Sequence, residues 1–203
     1  MLKSLQTAFI LFMLLTLLTG LIYPLVITGI AQVFFPYQAN GRLIEYQGQL
    51  IGSEWIGQSF TDLHYFWGRP SATTPYPYNA AFSSASNLGP SNPDFLASVK
   101  NRLAQWHQVD PANQTFIPVD LVTASGSGLD PDISPAAALY QAPRVAKSRH
   151  LPLQEVEELI YQYIQPRTAK ILGEKRVNVL RLNLALDKGF PLKKENPDVR
   201  AKT

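Results

Sequence analysis

Ala8-Phe9-Ile10-Leu11-Phe12-Met13-Leu14-Leu15, continuing through Leu17, Leu18, Leu21, Ile22 and Leu25-Val26-Ile27, is the apolar heart of a run of 38 residues (4–41) that holds no charged side chain. A helix rising about 1.5 Å per residue crosses the hydrocarbon core of a bilayer in about 20 residues. One span therefore fits with a turn or two to spare, and two spans with a turn between them barely fit. This run decides the architecture: one N-terminal transmembrane helix, with everything else carried behind it. Gly29-Ile30-Ala31 has the small-x-small pattern of a signal-peptide cleavage site. A signal h-region spans only about 7–15 residues, however, and this run is much longer, so residues 1–41 read as an anchor with a short juxtamembrane segment.

Within the run, Tyr23, Phe34, Phe35 and Tyr37 stand as an interfacial aromatic belt, and Pro24 is placed to kink the helix. Lys3 and the terminal amine are the positive charges on the short side, which favours a cytoplasmic N-terminus and puts the soluble part outside the cell. Thr16, Gly20 and Pro24 recur every four residues, with Thr19 beside them. Small residues at that spacing admit a second helix at close range, although Thr and Gly are also common in membrane helices. No ionisable side chain lies in the span, so the helix by itself is not expected to conduct ions.

Outward from the anchor, the other 17 Lys/Arg and all 15 Asp/Glu lie from Arg42 onward, leaving the soluble part at only +2. A nucleic-acid binder would concentrate basic charge on one face, so none is expected as a partner. With 0 cysteines, disulfides, thiolate metal sites and cysteine nucleophiles are excluded. The expected fold class is α+β: one soluble domain over residues 42–190, with a small sheet and about three helices, then a charged, disordered tail over residues 191–203. Leu43-Ile44 and Gln49-Leu50-Ile51, punctuated by Gly48, Gly52 and Gly57, read as a hairpin. Tyr65-Phe66-Trp67 and Val119-Asp120-Leu121-Val122 read as strands. Residues 68–93 form a long irregular stretch rich in Pro, Ser, Ala and Asn, the kind of loop that is often functional. Asn92-Pro93 starts a helix whose apolar face is Phe95, Val99, Leu103 and Trp106, ending before Asp110-Pro111. Ser134-Pro135 starts a second, which Pro143 breaks or restarts. Pro152 opens a third, carrying Val156, Leu159, Ile160, Tyr163 and Ile164. Leu180, Leu182, Leu184 and Leu186 alternate with Arg181, Asn183 and Ala185, which gives the clearest strand pattern in the chain.

Catalytic chemistry finds little support. No Gly-Lys dipeptide exists, so no phosphate-binding P-loop is possible. Asp187-Lys188-Gly189-Phe190 departs after two residues from the Asp-Lys-Thr-Gly-Thr of phosphorylated pumps and reads as a turn. Ala124-Ser125-Gly126-Ser127-Gly128 follows a predicted strand, as a nucleophile elbow would, yet neither serine is flanked by glycines in the G-x-S-x-G register. A membrane-anchored serine hydrolase using Ser125 or Ser127 would need one of His64, His107 and His150 beside it, with Asp120 or Asp130. The His residues are far apart with no HxxxH pairing, and Asp130 with Asp132 makes no EF-hand loop, so no metal or other cofactor of its own is expected. Backbone amides of residues 125–128, or those at the Ser134 helix start, are candidate anion ligands. A stand-alone binding module is the other alternative.

Several runs are more specific. They are Tyr23-Pro24-Leu25, Phe35-Pro36 with Gln38-Ala39-Asn40-Gly41, Leu50-Ile51-Gly52, and Ile56-Gly57-Gln58-Ser59-Phe60. Then come Tyr65-Phe66-Trp67-Gly68-Arg69-Pro70-Ser71-Ala72, Tyr78-Asn79, and Ser86-Asn87-Leu88-Gly89-Pro90-Ser91-Asn92-Pro93. Leu121-Val122-Thr123-Ala124-Ser125-Gly126-Ser127-Gly128-Leu129-Asp130 through Ile133-Ser134-Pro135 is the most specific, with Arg144-Val145-Ala146, Val177-Asn178-Val179 and Leu182-Asn183-Leu184-Ala185-Leu186-Asp187. On these runs the chain resembles the C subunit of the Kdp high-affinity potassium-transporting ATPase of bacteria, in order over nearly its whole length. It departs at Ser83-Ser84-Ala85, where the family pattern calls for glycines, and in a longer tail after Asp187.

The resemblance implies a non-catalytic accessory subunit of an ATP-driven potassium uptake complex in the bacterial inner membrane. The implied partners are a channel-like potassium-binding subunit, a P-type ATPase subunit and a small membrane peptide, beside the lipid bilayer. The family is needed for assembly and activity and is described as a catalytic chaperone that raises ATP affinity, hence its association with ATP and nucleotide binding. ATP and potassium are handled by the complex. A domain outside the cell would not meet cytoplasmic ATP, which favours a structural and gating role near the external potassium entrance. The resemblance-bearing segments 68–93 and 121–135 supply the candidate partner contacts: Arg69, Pro70, Ser71, Tyr78, Asn79, Ser86, Asn87 and Asn92 in the first, Ser125, Ser127, Asp130 and Ser134 in the second. Arg69 is expected either to meet a partner carboxylate or partner backbone carbonyls, or to hold this domain's own loop. In the membrane, Thr16, Gly20 and Pro24 are the candidates.

Overall fold

The computed structural model describes residues 2–192; the expected tail from Lys193 onward lies outside the described residues. The chain divides into two compact units, one ending at Ser53 and one beginning at Glu54.

In the first unit, one helix runs from Leu2 to Phe34, 33 residues that include an 18-residue window of mean hydropathy 2.5, long and apolar enough to cross a membrane. It consists of α1 (Leu2–Leu17), a π turn (Leu18–Ile22) and α2 (Tyr23–Phe34). The π turn has a local cause. Pro24 has no N–H, and its ring would crowd the carbonyl of Gly20 one turn back. The ladder widens just before it, so that the Tyr23 N–H donates to Leu18 O, and the helix continues. Phe35 ends α2 at φ −136° and Pro36 opens the single turn α3 (Pro36–Ala39). The hairpin expected from the glycine punctuation is present as β1 (Leu43–Tyr46) and β2 (Gln49–Ser53), antiparallel with a bulge at Ile44/Glu45. Its two-residue turn, Gln47-Gly48, has φ of +52° and +76°, the left-handed pair that matches strand twist.

The second unit carries four helices rather than about three: α4 (Pro93–Val109), α5 (Pro135–Arg149), α6 (Leu153–Tyr163) and α7 (Val179–Gly189). β3 (Asp132–Ile133), β4 (Ile164–Gln165) and β5 (Arg176–Asn178) form an antiparallel sheet in the order β3-β5-β4, with Ile133 and Ile164 both opposite Val177. Helix α5 packs on α6, and α6 on α7. Phe66, Ile133, Val145, Val156, Ile160, Val177, Leu182 and Leu186 fill the core. The class is α+β.

Three expected strands are not strands. The alternating leucines lie on α7, because 179, 182, 183 and 186 share one helical face as readily as 180, 182, 184 and 186 share one strand face. The buried set (Val179, Leu180, Leu182, Asn183, Ala185, Leu186) follows the helical period. Asn178 settles the choice by capping, its side chain accepting the Arg181 N–H at 3.0 Å. Asp187-Lys188-Gly189, expected as a turn after a strand, is the last turn of this helix. Residues 119–121 make a 3-10 turn, and residues 65–67 follow a turn and belong to no strand. Pro143 neither breaks nor restarts α5: it sits on the exposed side, where a carbonyl left without its amide can turn to water.

Candidate functional site

Residues 63–67 show how the domain anchors its irregular half. A partly buried segment outside any helix or strand needs other partners for its amides and carbonyls, and side chains from two helices provide them. Asn183 on α7 accepts the Phe66 N–H at 2.8 Å and donates to Phe66 O at 2.9 Å. Gln141 on α5 does the same for Trp67, at 2.8 and 3.0 Å. Arg144 donates to Leu63 O and Tyr65 O, and its guanidinium lies 4.7 Å from the Trp67 ring centroid. Burial lowers the pKa of Arg144, but from a starting point so high that the charge persists. Arg149 donates to His64 O and pairs with Asp187 at 2.7 Å, its own side chain only 1% exposed. Two carboxamides and two guanidiniums thus substitute for a strand ladder.

From Gly68 onward the chain turns back over itself. Tyr78, at φ +58°, lays its ring over Gly57 and Gly68 and donates its hydroxyl to Arg69 O. A Cβ on Gly57 would lie 2.4 Å from that ring, and one on Gly68 would lie 2.5 Å from its oxygen, so neither position admits a side chain. Burial, then the nearby Asp130 carboxylate, pushes the Tyr78 hydroxyl up to about 12, against the pull of Arg69. Ser71 Oγ donates to Gly128 O at 2.6 Å and accepts the Tyr78 N–H at 2.9 Å. Thr73 Oγ1 donates to Tyr76 O and accepts the Asn79 N–H, while Asn79 donates to Thr74 O.

The second segment locks into the first. Ser125 N–H donates to Pro70 O, Ser84 N–H to Ser127 O, and Gly57 N–H to Leu129 O. The Ser83 hydroxyl also reaches Ser127 O at 2.9 Å and Ser84 Oγ reaches Ala72 O at 3.3 Å. The departure from glycine at Ser83-Ser84 therefore adds one cross-link between the two segments, from Ser83, and one within the first, from Ser84. Arg69 Nη1 meets Asp130 Oδ2 at 3.0 Å, both side chains about three-quarters buried. Arg69 thus holds this domain's own loop.

Of the expected contact residues, Arg69, Pro70, Ser71, Tyr78, Asn79, Ser125, Ser127 and Asp130 come together in this one network. Ser134 is spent on folding: its hydroxyl caps α5 through the Ala137 N–H and donates to Asp120, which also accepts the Ser134 N–H at 2.7 Å. Asn92 likewise caps α4 through the Asp94 N–H. Ser86 and Asn87 are exposed, Asn87 at φ +52°. The serines make no nucleophile–base pair. Ser127 Oγ accepts the Leu129 N–H, and the ring of His64 is held by Asp62. Asp132 is committed to Arg176 and Asn178, with burial raising its pKa. In the membrane helix, Gly20 faces open space, with nothing within 4 Å of where a Cβ would stand. Gln141, Asn183, Gly57 and Gly68 lie outside the expected contact residues. A buried carboxamide on a helix is the signal that was available for the first two.

Comparison with known proteins places these segments in context. The family described as KdpC, the K+-transporting ATPase c chain, matches residues 5–188. The potassium-transporting ATPase KdpC subunit of Methylococcus capsulatus is 56% identical over 92% of this chain and 98% of its own. That of Polaromonas naphthalenivorans is 58% identical over 90% and 93%, and that of Herpetosiphon aurantiacus 59% identical over 85% and 89%.

Proposed function

The chain belongs to the family of K+-transporting ATPase c chains, an accessory subunit rather than the catalytic one, and from that premise we propose how it serves the complex. It is a membrane-anchored subunit of a high-affinity potassium uptake ATPase of the bacterial inner membrane, needed for assembly and activity. Its partners are a channel-like potassium-binding subunit, a P-type ATPase subunit and a small membrane peptide, which handle potassium and ATP. The chain brings no cofactor of its own. The supporting observation is the network itself. The two polar segments most characteristic of the family are spent on bonding to each other, and they present a rigid surface instead of a nucleophile or a ligand set.

Lys3 and the terminal amine support an N-terminus in the cytoplasm and a domain, residues 42–190, outside. On that side the domain acts structurally, gating near the external potassium entrance. The raised ATP affinity associated with the family is then an indirect effect on the pump subunit. The test is retrieval of the tagged chain from mildly solubilised membranes of cells grown at limiting potassium. A P-type ATPase and a channel-like subunit in fixed ratio are the expected companions, and a chain recovered alone overturns the reading. A reporter fused at the C-terminus checks the orientation: activity only on the cytoplasmic side would reverse it and restore a direct nucleotide role.

A further inference from the structure

One cleft in the domain, of about 190 Å³, opens between residues 68–71, helix α4 and Leu121. Its walls are aromatic: Phe60, Trp67, Tyr78 and Trp106. Trp67 and Trp106 meet at 5.1 Å between centroids. The charged residues lining it are both arginines, Arg69 and Arg102.

Neither arginine has its donors used up. Arg69 gives Nη1 to Asp130, but its Nε is buried without an acceptor. Arg102 gives one bond, from Nη1 to Val122 O at 2.9 Å, and has no carboxylate partner among the described residues. Burial lowers its pKa with no acidic neighbour opposing the shift. Arg149, Arg167, Arg176 and Arg181, by contrast, each meet a carboxylate within the chain. A partly desolvated guanidinium that lacks an anion is costly unless something arrives to pair with it.

We infer that this cleft receives a carboxylate side chain, Asp or Glu, carried on a segment of another subunit of the assembly, with Arg102 as its main ligand. The inference rests on the reading of the chain as a subunit. The size of the cleft selects the occupant: small-molecule sites run to roughly 300–1,000 Å³, so this one takes a side chain and not a nucleotide. The planar guanidinium fork suits a carboxylate, and the surrounding rings exclude water, which strengthens the pair. An arginine set among tryptophans is also the composition of interface hot spots.

The test uses the full chain in its complex, purified in mild detergent and washed with salt. Arg102→Gln removes the charge. Ser59→Asp places a negative charge on an exposed residue lining the cleft, whose side chain makes no hydrogen bond among the described residues. Both variants are expected to retain the partner subunits about tenfold less well than the unaltered chain, as loss of a buried interfacial charge pair implies. The photo-crosslinker p-benzoylphenylalanine at position 59 is expected to capture a partner peptide containing Asp or Glu. Retention by Ser59→Asp equal to the unaltered chain overturns the inference, whatever Arg102→Gln does to folding. So does a crosslink to lipid or to a peptide without an acidic residue. In these outcomes the complex still assembles, so the subunit reading survives. An unaltered chain that retrieves no partners defeats both.

Discussion

Gly68 and Tyr78 stand ten residues apart and define one contact, a phenolic oxygen lying where a methyl group would go. Gly68→Ala is expected to cost about 1–3 kcal/mol of domain stability, the usual range for overpacking. The nearest obstacle to the new methyl is the tyrosine oxygen at 2.5 Å, while Cζ lies at 3.6 Å. Removing the oxygen with Tyr78→Phe should therefore relieve the clash. The double variant is expected to show a coupling of about 1 kcal/mol or more, read from the fluorescence of Trp67 and Trp106 during unfolding; additive losses would contradict the geometry. The same hydroxyl predicts an alkaline effect. Its folded pKa, about 12, lies above the ordinary value of 10.0, so the folded state holds a proton that the unfolded state releases. The stability it contributes is complete below pH 10 and is lost as pH rises toward 12. Between pH 9 and 11.5 the unaltered chain should lose about 2 kcal/mol more than Tyr78→Phe, whereas parallel losses would show that the hydroxyl is not held.

Among the elements, α5 and α7 each serve two purposes. One face fills the core, while Gln141 and Asn183 on the same helices supply hydrogen bonds to the backbone of residues 66–67. Asn183→Leu adds apolar volume at a position only 2% exposed, and on hydrophobicity alone it should stabilise. It also leaves the Phe66 N–H and C=O buried without partners. Each such orphan costs about 1–3 kcal/mol, so a net loss of about 2–4 kcal/mol is expected. Denaturant unfolding of the variant reads this directly, and a stability equal to the unaltered chain would mean that the backbone finds other partners. These side chains also explain why residues 65–67 resemble a strand. Their aromatic content and burial are strand-like, but the partners of their backbone are side chains distant in sequence.

For the whole molecule, the anchor and the domain are separate units with separate liabilities. Gly20 faces open space on the membrane helix, so a larger side chain there strains nothing within the chain. Gly20→Leu is expected to leave domain unfolding unchanged and to reduce recovery of partner subunits in the mild-detergent retrieval, because it fills the gap that a neighbouring helix would enter. Undiminished recovery would assign the Thr16–Gly20–Pro24 spacing to ordinary membrane-helix composition.

The amino-acid sequence by itself determined the membrane helix, the hairpin and the starts of α4 and α5. Each rests on a short-range rule: an uncharged run longer than a bilayer is thick, a turn that needs positive φ, or a cap beside a proline. The polar segments of the candidate site were legible too, since Arg69, Ser71, Tyr78, Ser125 and Asp130 all fall within the runs that resemble the family. The use made of those residues, and the identity of three elements, depended on contacts between segments distant in the chain. Residues 180–186 satisfy both a strand and a helical period, and a cap at Asn178 together with burial against α6 selected the helix. Arg69 had a choice between a partner and its own loop, and the return of the chain at Asp130, 61 residues on, made that choice. Arg102 shows the limit of sequence reading most plainly: a guanidinium bonded to a carbonyl and without a carboxylate partner among the described residues is recognisable only once its neighbours in space are known.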